Sequence, residues 1–390
     1  MKKTRVVMLE LWPIANSRGG LERVFCSMGN ALTARGYEVV AVTFDQGEGK
    51  PAYPVDERVR FVKVGCRRPL YCYPPLRDIL CYARNRAERH RARGRQLMHW
   101  QASVLRSVRE EFENADIVIS YQCAGAYILR ECLGFKGKLV TMMHSYPPVY
   151  TDRPVFDVMR DAVSSSTCVQ VLMPRFVEVA RSRLSGNPDI RYIPNIVQPV
   201  EESPDYDSRI ICSVGRLSEE KSVELLVEAF ALVKDKFPDW KVHWWGGQGR
   251  RRYIRKITEA IRRHRVEDRF VMCGVTDNVK AELLRSSIFA FPSSFEGFSM
   301  ALGEAMAAGL PAIGRQDCPS VNDFIRDGID GYLVESSPSA LAQALERLMG
   351  DRELRARFGV NAKARVAEYS EDAVWGAWSR LIDELTGKPA

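Results

Sequence analysis

Residues 191–208 read RYIPNIVQPVEESPDYDS. Proline and acid dominate this stretch and no helical period runs through it, which is the composition of an interdomain linker. The sequence on either side alternates strand and helix, so the fold turns on reading these residues as a divider. Upstream, Arg5 to Glu10 (RVVMLE) is an apolar run of strand length. Leu21 to Arg35 is a helix with Leu21, Val24, Met28 and Leu32 on one face and Gly36 as its stop, and Glu38 to Phe44 is again a strand. A long polar helix follows, then strands at Asp116 to Ser120, Lys138 to Met142 and Cys168 to Leu172. Downstream a second series begins: strand Arg209 to Val214, helix Lys221 to Lys236, strand Lys241 to Trp245, a basic helix, strand Arg269 to Cys273, strand Ile288 to Pro292, helix Ser299 to Ala308, strand Pro311 to Gly314. Both halves read as doubly wound α/β with parallel, helix-covered sheets.

At 390 residues and 46% hydrophobic, the chain has the length of two ordinary domains, each with its own core. The expected division is 1–195, 196–370, and a final helix over 371–390 packing back toward the first domain, with Trp375, Trp378 and Leu381 spaced to fill a groove. No run approaches the roughly 18 apolar residues of a membrane helix, and MKKTRVVMLELW enters a strand rather than a signal peptide, so a cytoplasmic protein is expected. Ten cysteines form no C-x2-C pair and read as small buried residues of a reducing compartment. The charge of +8 is uneven, because Arg84 to Arg109 holds eight arginines and one acid, and Gly246 to Arg265 is similarly basic.

Two such domains are expected to place the carboxyl ends of both sheets across one crevice, so the chemistry is sought in the loops after the strands. The sharpest candidate is FEGFSMALGEAMAAG, from Phe295 to Gly309. Glu304 shares a helix face with Met300, Ala301, Ala307 and Ala308, and a carboxylate among small apolar residues needs donors such as vicinal ribose hydroxyls. Glu296, just before the helix, is placed for a second polyhydroxylated group, and the amides of Gly297, Phe298, Ser299, Met300 and Ala301 form a helix N-terminus that attracts phosphate. Two solvated acids on an amphipathic helix would have the same spacing. GRLSEEK, Gly215 to Lys221, offers the cations Arg216 and Lys221 for a departing diphosphate, although a first-turn surface lysine reads the same. Gly19 and Gly20 let backbone approach a ligand at a helix start, or form an ordinary turn. His144 alone of five histidines follows a strand end in the expected crevice. The motifs of dinucleotide binding, P-loops, serine hydrolases and D-x-D metal sites are absent.

In order along the chain, GGLE, His144, YIPN, GRLSEEK, the E-x7-E run from Glu296 to Glu304, and DCPS followed by DGIDGYLV resemble the family 4 glycosyltransferases. The resemblance spans most of the chain and is strongest from Arg191 to Val334. It implies the GT-B fold of two facing Rossmann-like domains and retaining transfer of a sugar from a nucleotide donor without a divalent metal or other cofactor. By it, Arg216 and Lys221 hold the diphosphate, Glu304 the ribose, Glu296 the transferred sugar, and the Gly274–Val275 backbone the base. Gly20 and the Gly297 to Ala301 amides approach phosphates and sugar, and His144 faces the sugar or β-phosphate. Two departures stand out: Ser222 follows Lys221 where the family often has Gly, and Gln248 and Arg250 replace the acid and proline of a GDGP-like turn.

The stretch from Asp317 resembles the subgroup using UDP-linked galactose, glucose or their N-acetyl forms, so a UDP-sugar is the expected donor. The expected acceptor is a glycan, lipid-linked or part of a cell-envelope polysaccharide such as lipopolysaccharide. Arg89, Arg91, Arg93 and Arg95, with Leu97, Met98, Trp100 and Leu105 interleaved, are the expected contacts to an anionic inner membrane face, unless the helix is simply solvated. Nucleic acid is not an expected partner. A nucleotide-sugar epimerase of the same architecture, and a non-catalytic sugar-nucleotide or glycan-binding assembly factor, remain alternatives.

Overall fold

A computed structural model describes residues 3–17, 19–46, 49–65, 85–247 and 249–387. Arg84, Gln248 and three cysteines, Cys66, Cys72 and Cys81, lie outside them. The chain divides into two compact units, Met1–Asn195 with Asp372–Ala390, and Ile196–Glu371.

The first unit is a parallel sheet of β1 (Arg5–Glu10), β2 (Glu38–Thr43), β3 (Arg60–Lys63), β4 (Ile117–Ser120), β5 (Leu139–Met143), β6 (Cys168–Val171) and β7 (Ile190–Tyr192), in the order β3-β2-β1-β4-β5-β6-β7. Its central strands are apolar because both faces are covered: Val6 to Leu9 and Ile117 to Ile119 are fully buried. Helix α1 (Gly20–Ala34) links β1 to β2, and α2 (Arg86–Leu105) carries the arginine-rich segment. The order reverses between β1 and β4, which pair directly. Two strands of this unit escape the sequence reading. β3 is four residues of half-exposed edge, and β7 occupies the first residues of the segment read as a linker, so Arg191 and Tyr192 are sheet, not linker.

The second unit repeats the plan with β8 (Ile210–Val214), β9 (Lys241–Trp245), β10 (Phe270–Gly274), β11 (Ile288–Phe291), β12 (Ala312–Arg315) and β13 (Gly331–Val334), in the order β10-β9-β8-β11-β12-β13, all parallel. Here the order reverses between β8 and β11. Helices α3 (Val223–Val233) and α4 (Arg251–His264) cover one face, Phe230 of α3 sharing a core cluster with Trp240 and Trp244, while α5 (Met300–Ala307) follows β11. α6 (Glu371–Thr386) buries Trp375, Trp378, Leu381 and Ile382. It is tied to the first unit by the Tyr37 hydroxyl donating to Asp383 at 2.7 Å and by Arg191 pairing with Glu384 at 2.7 Å.

Candidate functional site

In open α/β sheets ligands bind beyond the carboxyl ends of the strands where strand order reverses. In the second unit that point lies between the turns after β8 and β11. The β8 turn is held against the β9 turn backbone to backbone. A Cβ on Gly246, itself at φ +131°, would sit 2.0 Å from the Gly215 carbonyl oxygen, and one on Gly249 would sit 2.2 Å from that of Leu217. Glycine is required at both by close approach. The β8 turn is likewise stitched to the β11 turn, since the Ser294 amide donates to the Glu220 carbonyl at 2.8 Å.

This stitching sets Lys221 directly against Glu296. Their side chains form an ion pair, each about seven-eighths shielded from solvent, and the Lys221 ammonium lies 5.4 Å from the centre of the Phe291 ring. The two residues expected to serve diphosphate and sugar separately are therefore each other's partner. Arg216 lies in different surroundings. Its side chain is 73% exposed, 3.8 Å from Glu220, and faces a cavity of about 500 Å³ lined also by Ser218, Gly249, Arg250 and Tyr253. Ser222, the departure from glycine, adopts the left-handed conformation at φ 45°, ψ 47°. That geometry is why glycine is the easier residue there.

Glu304 is half-buried on α5 beside half-buried Met300 and Ala301, while Ala307 and Ala308 are buried. The expected helix N-terminus is shorter than the sequence suggests. The Met300 amide donates to the Phe298 carbonyl at 2.8 Å, so it is not one of the free donors, and the helix proper begins at Met300. The Phe298 side chain belongs to the core, packed edge-on against Phe324 and Tyr369, and the Ser299 hydroxyl is paired with Ser320 at 2.8 Å. Gly297, beside Glu296, lies in the bend ahead of the helix. At the end of β10 the Gly274 carbonyl already accepts from the Gly246 amide at 2.7 Å, while Val275 is 75% exposed. Asp317 is committed to Arg315, whose guanidinium holds its carboxyl below the usual range.

In the first unit His144 follows β5, half-buried, with its ring stacked on Tyr121 at 5.2 Å and Nε2 without a protein partner. Burial pushes its pKa down to about 3, so the imidazole is neutral at physiological pH and offers a hydrogen bond, not a charge. Gly19 caps α1 in extended geometry. A Cβ there would meet a Glu22 carboxylate oxygen at 2.3 Å, whereas Gly20 has open space. An anion approaching this helix end meets the Glu22 carboxylate, which also accepts from the Ser17 hydroxyl at 2.5 Å.

The turn after β1 holds residues the sequence reading passed over. Glu10 is buried, accepts from the Trp12 amide at 3.1 Å and from Gln122, and keeps its second oxygen without a partner. Burial first, then the nearby Glu22 and Asp45 carboxylates, raise its pKa to about 8 against the opposing hydrogen bonds. Gln122 accepts from the Leu11 amide at 2.9 Å, and Asp45, beyond β2, accepts from Ile14 at 2.9 Å and Ala15 at 2.7 Å. A single glutamate in an apolar strand was the available signal.

On α2, Arg91 pairs with Glu88 and with Asp157 at 2.6 Å, so it is not a free lipid contact; Arg89 and Arg93 are exposed and Arg95 half-buried. The interleaved apolar residues face inward, with Met98 and Leu105 buried and Trp100 against Phe44. Among the described residues no helix is long and apolar enough to cross a membrane, and no group of three His, Cys, Asp or Glu gathers as for a metal ion.

Two parallel-sheet Rossmann-like domains, each with its polar residues at the point of strand reversal, make this a GT-B fold, and the structures it resembles are GT-B glycosyltransferases. Residues 197–365 match the family described as group 1 glycosyl transferases. The chain is 22% identical over 372 residues to an uncharacterized glycosyltransferase of Haemophilus influenzae, covering 94% of this chain and 97% of that one. It is 28% identical over 178 residues to N-acetylgalactosamine-N,N'-diacetylbacillosaminyl-diphospho-undecaprenol 4-alpha-N-acetylgalactosaminyltransferase of Campylobacter jejuni, covering 45% of this chain and 47% of that one. A TarM variant of S. aureus, in complex with fondaparinux, alpha-GlcNAc-glycerol and UDP, superposes with a TM-score of 0.73 at 14% identity over 98% of this chain and 100% of that one. The family match and the fold support a glycosyltransferase.

Proposed function

We propose that this chain is a retaining hexosyltransferase of the family 4 type, moving a hexose or N-acetylhexosamine from a UDP-sugar to a hydroxyl of a lipid-linked or cell-envelope saccharide. The observation that carries the reading is the Lys221–Glu296 ion pair at the β8/β11 reversal, with Glu304 about one turn into the helix that follows. A cation and a carboxylate that neutralise one another in the free protein are exchanged, when donor binds, for diphosphate and sugar hydroxyl respectively. Neither group then loses its partner on leaving water.

In this mechanism the diphosphate leaves toward Lys221 and Arg216, which offset the charge that grows as the glycosidic bond breaks. Glu304 accepts from the ribose hydroxyls and Glu296 from the sugar. The acceptor hydroxyl attacks from the face the diphosphate is leaving, the leaving oxygen takes its proton, and configuration is retained. His144, being neutral, contributes a hydrogen bond from Nε2 rather than general-acid chemistry at neutral pH. No cofactor or metal is assigned. UDP is favoured by the sequence after Asp317 and by the UDP held by the TarM variant; an α-linked N-acetylhexosamine is favoured by the TarM ligand and by the Campylobacter relative's name, which also favours a lipid diphosphate acceptor. Such an acceptor fits an enzyme working in the cytoplasm at the inner membrane face, with exposed Arg89 and half-buried Arg95 as candidate contacts.

The test is a panel of radiolabelled UDP- and GDP-sugars assayed for transfer to water and to lipid extracts, with the product's anomeric configuration read by proton NMR. Turnover of a UDP-hexose or UDP-N-acetylhexosamine to an α product supports the reading. No donor turned over, or an inverted product, overturns it. Salt-sensitive sedimentation with phosphatidylglycerol vesicles, absent for phosphatidylcholine, tests the membrane contact.

A further inference from the structure

The first unit has its own strand reversal, between β1 and β4, and the residues gathered there are Glu10, Gln122 and the turn they hold. That turn is pinned from three strands: the Leu11 amide to Gln122 after β4, the Trp12 amide to Glu10 at the end of β1, and the Ile14 and Ala15 amides to Asp45 after β2. A turn so held has few alternatives, and what it presents to solvent is the indole of Trp12, 47% exposed. Trp12 is the only aromatic among the exposed large hydrophobic side chains of the described residues. Three side chains fix the turn that carries this ring at the end of the sheet where ligands bind, so the indole is held in place ahead of any ligand.

We infer that Trp12 is a stacking platform for a pyranose ring, with Glu10, Gln122 and Asp45 as the positioning residues that hold it. The C–H face of a pyranose is apolar and carries slight positive charge, which suits the electron-rich face of an indole, while its equatorial hydroxyls need polar groups at the rim. Gln122, half-buried beside the turn, is held by the Leu11 amide and Glu10 and keeps its second amide hydrogen and second carbonyl lone pair for such a rim. A flat aromatic with a polar edge binds a saccharide, whereas a phosphate or a peptide carboxylate would call for the cations this turn lacks. The inference rests on the glycosyltransferase reading only in assigning the bound saccharide as acceptor; ring binding itself is independent of turnover.

The experiment uses the full chain labelled with 5-fluorotryptophan. Its seven tryptophans give separate fluorine resonances, and Trp12 is assigned by the signal lost in Trp12→Phe. The probes are the methyl glycosides of glucose, galactose and N-acetylglucosamine, with the acyclic polyol mannitol as control. The expected result is a saturable shift of the Trp12 resonance with at least one methyl pyranoside, on the order of millimolar Kd, and none with mannitol. In Gln122→Ala the affinity for that pyranoside falls about tenfold while UDP binding, measured by calorimetry, is unchanged. No shift with any pyranoside, or an equal shift with mannitol, overturns the platform. Unchanged pyranoside affinity in Gln122→Ala overturns the positioning role. A parent protein that hydrolyses no sugar nucleotide yet shows the shift would sink the glycosyltransferase reading and leave the saccharide site standing.

Discussion

Lys221 and Glu296 meet as an ion pair although 75 residues separate them, because β8 and β11 are neighbours at the point where strand order reverses. Each side chain is mostly buried, and a carboxylate so shielded that loses its cation is left with no compensating charge. The pair is thus structural in the free protein, and in the proposed mechanism it separates to meet the donor.

Replacing Lys221 with Ala is expected to reduce kcat by roughly a hundredfold or more, by removing charge that offsets the departing diphosphate. It is also expected to lower stability by about 1–3 kcal/mol, since Glu296 is left unpaired. Lys221→Ala/Glu296→Gln should recover most of that stability but none of the turnover. Thermal unfolding and kcat/KM on the four proteins measure both. A double variant no more stable than Lys221→Ala would show that the pair carries no stability.

Arg216→Ala should behave differently. Its side chain is 73% exposed and its one ion pair is long, so Tm should hold within about a degree while kcat falls by a similar factor of roughly a hundred. Near-wild-type kcat/KM would remove Arg216 from the diphosphate site.

Ser222 occupies a left-handed conformation that costs a serine on the order of 1 kcal/mol relative to glycine. Ser222→Gly should therefore stabilise the second unit by up to about 1 kcal/mol, visible as a higher urea midpoint. The gain is reduced if the 3.4 Å contact from Arg315 to the Ser222 hydroxyl contributes. A lower midpoint would mean that contact outweighs the strain.

If Arg216 and Lys221 supply the charge that meets the diphosphate, as proposed, turnover should persist in EDTA. The check is donor hydrolysis in chelator with and without added Mg²⁺ or Mn²⁺. Loss on chelation with rescue by either ion would require a metal in the mechanism.

How much of this was legible in sequence follows range. Strands such as the apolar run Arg5–Glu10 and the alternating Lys241–Trp245 need only local reading, and the observed bounds coincide with the expected ones. β3 and β7 are too short and too exposed for such a signal. The acids and cations of the second unit were visible as motifs, but their pairing was not, because strand order decides which turns meet. Met300 looked like a free amide donor, and a single carbonyl at Phe298 spends it. Glu10 was hidden for a simpler reason: a buried carboxyl at an apolar strand end has no spacing pattern, only an environment.

That environment gives the last expectation. Glu10 faces Glu22 and Asp45 as charges, Tyr121 as a buried phenol, and the Trp12 amide and Gln122 as donors. Burial first, then the two carboxylates, raise its pKa to about 8, against 4.5 in the unfolded chain. Between those values the folded protein binds one more proton than the unfolded, so stability falls as pH rises from about 5 to 8 and the loss is complete above 8. A raised carboxyl pKa has this sign; a depressed one would lose stability toward acid instead. Glu10→Gln keeps an oxygen for the Trp12 amide and never ionises, so its first unit should be indifferent to pH over that range. It should exceed the parent by on the order of several kcal/mol at pH 8.5, with little difference at pH 5. Tm of the parent and variant from pH 5 to 9, followed by the Trp12 fluorine resonance, measures this. Parallel pH profiles for the two proteins would mean that Glu10 is ionised in the folded state and that the turn beneath Trp12 is held by a carboxylate.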